Sequence, residues 1–158
     1  METKKVNLSD YKTDDVPNGK PYRIGIIHAE WNNNITDALT DGAYETLLKH
    51  GVEATNIVKV SVPGTFELTT AADTMLSTNK SFDAVICIGC VIQGETRHFD
   101  FICDAVSNGL TNVSIKHGKP VIFSVLTTNN MQQAQERAGG KHGNKGIEGA
   151  VMLPFCLR

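Results

Sequence analysis

The chain has neither a long hydrophobic run nor an excess of one charge. Its 158 residues include 15 basic and 17 acidic side chains, a formal net charge of −2 at pH 7. These charges are scattered and form no basic stripe of the kind a nucleic-acid backbone demands, so no nucleic-acid partner is expected. No segment approaches the roughly 20 apolar residues of a membrane helix, and the opening METKKVNLSDYKTDD lacks the apolar core, about 7–15 residues, of a secretion signal. The expectation is a soluble, cytoplasmic protein with no membrane partner. At this length the chain fits one domain, able to bury about 70% of its unfolded surface.

Cysteine is scarce as well. Cys87, Cys90, Cys103 and Cys156 lie in apolar runs rather than turn-rich loops, which predicts buried free thiols in a reducing compartment. Cys87 and Cys90 form a C-x-x-C, but within a strand-like run, where positions three apart face opposite ways. Such a pair neither clamps a metal nor closes a redox disulfide, and no second pair stands nearby, so no metal site is expected. The first strand-like run is followed by no G-x-G-x-x-G, which removes the simplest case for a dinucleotide.

What is present is a regular alternation of β-rich and helix-periodic segments. Residues 1–21, with Pro17, Asn18, Gly19 and Pro21, show no periodicity and read as an arm, free or docked; residues 22–158 read as the domain. YRIGIIHA from Tyr22 is strand-like, Asn32, Asn33 and Asn34 offer helix caps, and Ile35, Leu39, Ala43 and Leu47 follow at helical spacing until Gly51. A second strand runs from Asn56 to Val62, and Leu68, Ala72, Met75 and Leu76 share one face of a second helix. The third strand is Ala84 to Ile92, and its helix shows Phe99, Ile102, Val106, Leu110 and Val113 in register. VIFSVL from Val121 is the fourth, followed by Thr127 and Thr128 as a cap and by Met131, Ala134 and Ala138 on a shorter helix. Four such units predict an α/β fold: a three-layer α/β/α sandwich around a four-stranded parallel sheet with right-handed crossovers. So small a sheet has two edges to protect, and the arm could add a strand to a neighbour's edge, which makes a homo-oligomer the expectation.

In a parallel sheet the strand ends converge on one edge, where ligands of open α/β sheets bind. That edge collects Glu30, Trp31 and Asn32; Pro63 to Glu67; residues 93–98, QGETRH; and Thr127 with Thr128. Trp31, the only tryptophan, either stacks on a flat heteroaromatic ligand or plugs the end of the core. Glu67 at a helix start suits capping. Residues 89–96, GCVIQGET, have the glycine and threonine spacing of a P-loop, but Glu95 stands where that motif needs lysine. A carboxylate there repels the β- and γ-phosphates, which excludes a nucleoside triphosphate, while the Glu95 and Thr96 amides at a helix start suit one phosphate group. His98 is the one histidine in this loop, an imidazole able to accept and release protons near neutral pH. Residues 137–146, RAGGKHGNKG, gather Arg137 and lysines on a glycine-rich turn between two short helices, either a phosphate clamp or a solvated basic loop.

Taken together, Trp31-Asn32, VPGTFEL from Val62, GCVIQGETRHFDF from Gly89, PVIFSVLTT from Pro120 and RAGGKHGNKG from Arg137 closely resemble the lumazine synthase family. These five motifs, in the expected order, cover the chain from Tyr22 to Glu148. The resemblance implies a flavodoxin-like fold and a transferase of riboflavin biosynthesis. It would condense 5-amino-6-(D-ribitylamino)uracil with 3,4-dihydroxy-2-butanone 4-phosphate to 6,7-dimethyl-8-ribityllumazine, releasing phosphate and water, with no cofactor. By the same resemblance Trp31 stacks on the pyrimidinedione, Thr65, Phe66 and Glu67 meet the ribityl chain, and Cys90, Val91 and Ile92 border the ring. Glu95, Thr96 and Arg137 hold the phosphate, His98 moves protons, and Lys145 and Glu148 support the site. Phe123, Arg137 and Lys145 would come from the neighbouring subunit of a homopentamer. The short turn at residues 139–146 resembles that of relatives that pack twelve pentamers into a shell. The tail departs from the family: a helix from Ile147 to Met152 should stop at Pro154, where the family has a longer helix. Two rival readings are a flavin- or lumazine-binding module without catalysis and a flavodoxin-like regulator without substrate.

Overall fold

The computed structural model describes residues 7, 9–78 and 81–157. Strands and helices alternate: β1 (Ile24–Ala29), α1 (Asn33–Lys49), β2 (Ile57–Val62), α2 (Leu68–Thr78), β3 (Ala84–Ile92), α3 (His98–His117), β4 (Val121–Thr128) and α4 (Met131–Glu136). A two-stranded ribbon, β5 (Ala138–Gly140) and β6 (Gly143–Asn144), then leads into α5 (Lys145–Cys156). The first four strands form a parallel sheet in the order β2-β1-β3-β4. The α/β sandwich expected from the alternation is therefore present.

Burial on both faces explains the uncharged β3 run, whose first seven residues are buried. Alternate side chains feed two cores. Ile86, Ile88 and Cys90 join Ile24, Ile26, Leu39, Leu47 and Leu153 under α1 and α5. Val85 and Cys87 join Ile27, Leu68, Leu76, Val106 and Leu110 under α2 and α3. Each fully buried Ile or Leu contributes roughly 1.5–3 kcal/mol. Cys87 and Cys90 thus face opposite layers, as their spacing requires, and their burial raises both thiol pKa values, Cys90 to about 11. The expectation of buried thiols fails for the other two: Cys103 is half-buried on α3 and Cys156 is exposed on the last turn of α5, since apolar neighbours in sequence do not turn a helical side chain inward.

Several boundaries differ from the sequence expectation. Strand β4 runs on through Thr127 and Thr128, paired to Val91 and Ile92, so the cap of α4 is instead Asn130, whose side chain accepts from the Gln133 amide at 2.9 Å. Ala138 leaves α4 for the ribbon, because Gly139 (φ +107) and Gly143 (φ +84) permit a tight antiparallel reversal where only a turn was expected. Helix α5 passes through Pro154 to Cys156. Proline removes one intrahelical bond, but only in the final turn, and Pro154 is itself buried beside Leu153, so packing holds the last turn. The crossing of α5 over α1 needs Gly146, where a Cβ would overlap the Leu39 carbonyl oxygen.

Residues 9–21 dock on their own subunit. The Tyr11 hydroxyl bonds His50 Nε2 at 2.9 Å, the Gly19 amide donates to the His50 carbonyl at 2.8 Å, and Ser9 Oγ accepts from the Asn144 amide at 2.9 Å. Residues 1–6 and 8 of the expected arm lie outside the described residues. Among the described residues no helix is long and apolar enough to cross a membrane.

Candidate active site

The chain leaves β1 for β2 on one side and returns past it to β3 on the other, so the order reverses between β1 and β3, where open α/β sheets form their ligand crevice. The register deepens that crevice. His28 is the last β1 residue paired to β3, opposite Ile88, whereas β3 continues four residues to Ile92 beside Thr128 of β4. The freed upper edge of β3 is met by Asn32, whose Nδ2 donates to the Cys90 carbonyl at 3.0 Å. Asn32 therefore sits at the α1 N-cap position in a left-handed conformation (φ 61) without a side-chain cap, and its backbone carbonyl receives the Ile35 and Thr36 amides instead. This corrects the expected asparagine cap.

The turn after β2 closes the other wall. A Cβ at Gly89 would lie 2.6 Å from Thr65 Oγ1, so glycine there allows the 3-10 turn Thr65–Glu67 to rest on β3. Glu67 acts as expected of a helix start, Oε2 accepting the Gly64 amide at 2.9 Å.

Between these walls lies a cleft of about 330 Å³ lined by Trp31, Asn32, Gly64, Thr65, Phe66, Glu67, Cys90, Val91, Ile92, His98 and Ile102. Eight residues to which the resemblance gives a role, Trp31, Thr65, Phe66, Glu67, Cys90, Val91, Ile92 and His98, meet here. Trp31 is 74% exposed and Phe66 55%, so Trp31 plugs no core and its ring is free to stack. Burial pushes the Cys90 thiol pKa up to about 11, which favours the protonated thiol over the thiolate.

Residues 93–98 end β3 and start α3. His98 is the first residue of α3 and exposed, its amide 3.4 Å from Thr96 Oγ1. Glu95 and Thr96 were expected at the helix start but precede the cap residue Arg97, because the Thr96 hydroxyl takes the His98 amide in a local turn. Neither lines the cleft.

A second cleft, about 390 Å³, opens beside β4, lined by Phe123, Val125, Leu126, Thr127, Thr128, Arg137, His142, Lys145 and Glu148. Four expected site residues, Phe123, Arg137, Lys145 and Glu148, gather here and none lines the first cleft. Arg137 donates from Nη1 to the Gln133 carbonyl at 3.1 Å, and Lys145 Nζ lies 3.1 Å from Glu148 Oε2. Asn144 caps α5, its Oδ1 accepting the Gly146 and Ile147 amides, which fixes Lys145 and Glu148 on the first turn. Among the described residues no group of three or more His, Cys, Asp or Glu side chains is arranged to hold a metal ion.

Asn32 and Thr128 line the clefts as their place on the ligand edge predicts, whereas nothing in the sequence marks Ile102, Val125 or Leu126 as lining residues, and the only signal for His142 is its residue type within RAGGKHGNKG.

Residues 21–153 match the family model described as 6,7-dimethyl-8-ribityllumazine synthase. The chain is 58% identical to a protein of that name from Cytophaga hutchinsonii, over 96% of this chain and 94% of that one. It is also 58% identical to one from Porphyromonas gingivalis, over 96% and 93%, and 49% identical to one from Phocaeicola vulgatus, over 98% and 94%. With the sheet, the switch-point cleft and near-complete coverage in agreement, the chain belongs to the 6,7-dimethyl-8-ribityllumazine synthase family.

Proposed function

We propose that this chain is a transferase of riboflavin biosynthesis, condensing 5-amino-6-(D-ribitylamino)uracil with 3,4-dihydroxy-2-butanone 4-phosphate to 6,7-dimethyl-8-ribityllumazine with release of phosphate and water. The observation that carries this reading is the convergence of Trp31, Thr65, Phe66, Glu67 and His98 on one switch-point cleft. Trp31 stacks on the pyrimidinedione, Cys90, Val91 and Ile92 border it, and the turn at Thr65 receives the ribityl chain. His98 shuttles protons as the amine and ketone lose water to an imine, as phosphate is eliminated, and as the ring closes on the resulting carbonyl with loss of a second water. Arg137 holds the phosphate with the Glu95 and Thr96 amides, and Lys145 and Glu148 complete the charge around it.

These groups occupy two clefts of one chain, each lacking what the other offers. The reading therefore places the working site between subunits of a homo-oligomer, a pentamer, with Phe123, Arg137 and Lys145 supplied by the neighbour. The exposure of Phe101 (70%) and Ile115 (74%) supports buried contacts in an assembly, and a shell of twelve pentamers is the larger form this arrangement admits. A cytoplasmic enzyme with small-molecule substrates fits the same reading. Mixing the purified protein with both substrates should produce lumazine fluorescence and stoichiometric phosphate. Fluorescence of bound flavin without phosphate release would leave only a binding module.

A further inference from the structure

The second cleft contains a titratable group with no assigned role. His142 lines it beside Arg137 and Lys145 and is fixed at the ribbon turn, its amide donating to the Glu136 carbonyl at 2.8 Å. Its Nε2 lies 3.7 Å from Glu136 Oε2, too long for a hydrogen bond but within ion-pair distance when the ring is protonated. The nearer partner of Glu136 is Lys141, 2.9 Å from Oε1, where Gln132 also donates, so Glu136 compensates His142 only in part. The cleft is, moreover, short of positive charge. Lys145 is neutralised by Glu148 at 3.1 Å, and Arg97 on the facing half-site is paired with Asp100 at 3.6 Å, which leaves Arg137 as the one uncompensated cation of the lining. A phosphate monoester carries about −1.5 to −2 near pH 7.

We propose that protonated His142 is the second phosphate-binding cation of this half-site, acting with Arg137 to select the phosphorylated substrate. The inference rests on the reading of the second cleft as the phosphate side. Because an imidazole is a cation only when protonated, the contribution belongs to the acid side of the pH range and is lost on the alkaline side, while Arg137 stays charged throughout.

The test is steady-state kinetics of the assembled enzyme with the butanone phosphate varied, comparing wild type, His142→Gln and Arg137→Ala between pH 6 and 8.5. At pH 6 His142→Gln should raise the KM for the butanone phosphate about 3–10-fold, leave the KM for the pyrimidine within about 2-fold, and weaken competitive inhibition by inorganic phosphate in step. The gap from wild type should close by pH 8.5. An unchanged KM at pH 6, or a gap that persists at all pH values, overturns the proposal. If Arg137→Ala also leaves that KM unchanged, the phosphate side itself is misplaced; if only His142→Gln is silent, His142 alone is misassigned. Should His142→Gln fail to assemble, NMR titration of the wild-type histidines decides: inorganic phosphate must raise the pH at which the His142 imidazole titrates, and no such rise refutes the role.

Discussion

The two clefts are built by different physics. The first is set by strand register: β3 outruns β1, Asn32 ties the β1 end to the Cys90 carbonyl, and the absence of a side chain at Gly89 lets the Thr65 turn close in. Its walls are apolar and aromatic, with His98 and Glu67 as the ionisable side chains besides a protonated thiol. The second runs along β4 to Arg137 after α4, the His142 turn of the ribbon and the first turn of α5, and it sets Arg137, His142 and the Lys145–Glu148 pair near one aromatic ring, Phe123, 38% exposed. The first suits a flat neutral ring and the second an anion. On the proposed reading, a reaction joining a pyrimidine to a sugar phosphate needs both surfaces at one point, and two neighbouring chains would supply them.

The sharpest way to break this comparison is to remove the anion side. Arg137→Ala should lower kcat/KM for the butanone phosphate by about 10³-fold, the worth of two charge-assisted hydrogen bonds at about 2 kcal/mol each. His98→Ala should lower kcat by about 10²-fold and no more, since holding two substrates together supplies much of the rate. Wild-type kinetics in both variants would sink the assignment. The pair then sharpens the comparison further: dissociated and reassembled together, the two impaired variants should regain activity well above either alone, because on random mixing about a quarter of interfaces join an intact His98 to an intact Arg137. No recovery would mean that each chain carries its own complete site.

The halves also differ in how much the sequence disclosed. The uncharged β3 run, the apolar period of α1 and the polar strand ends made the sheet and the first cleft legible, because periodicity reports burial directly. Short elements escaped it. The ribbon depends on two glycines with positive φ in a segment of mixed polarity, and α5 continues through Pro154 because tertiary packing overrides a local rule. The capping of α4 by Asn130 rather than Thr128 followed from the strand register, a long-range fact that local spacing does not contain. His142 was visible as a letter but not as a lining residue until the ribbon folded it beside Arg137.

Smaller effects separate site from scaffold. Trp31→Ala should raise the KM for the pyrimidine about 5–10-fold, as expected for losing one stacking contact, and leave Tm nearly unchanged because the ring is 74% exposed. A large fall in Tm with an unchanged KM would instead make Trp31 structural. Far from both clefts, Asp73 on α2 meets Lys116 and His117 of α3, each at 2.8 Å, and these partners hold its carboxyl below the usual carboxylate range. A carboxylate with a lowered folded pKa stabilises the native state above its unfolded pKa, near about 3.9, and loses that contribution as pH falls through the folded value. Asp73→Asn should therefore have a lower Tm than wild type at pH 7 and the same Tm in strong acid, with kinetics unaltered. The difference should be small, because Lys116 is well exposed and solvent screens the pair. A change in KM for either substrate would show that α2 and α3 transmit strain to the first cleft, and the division between a site set by register and a scaffold set by packing would have to be redrawn.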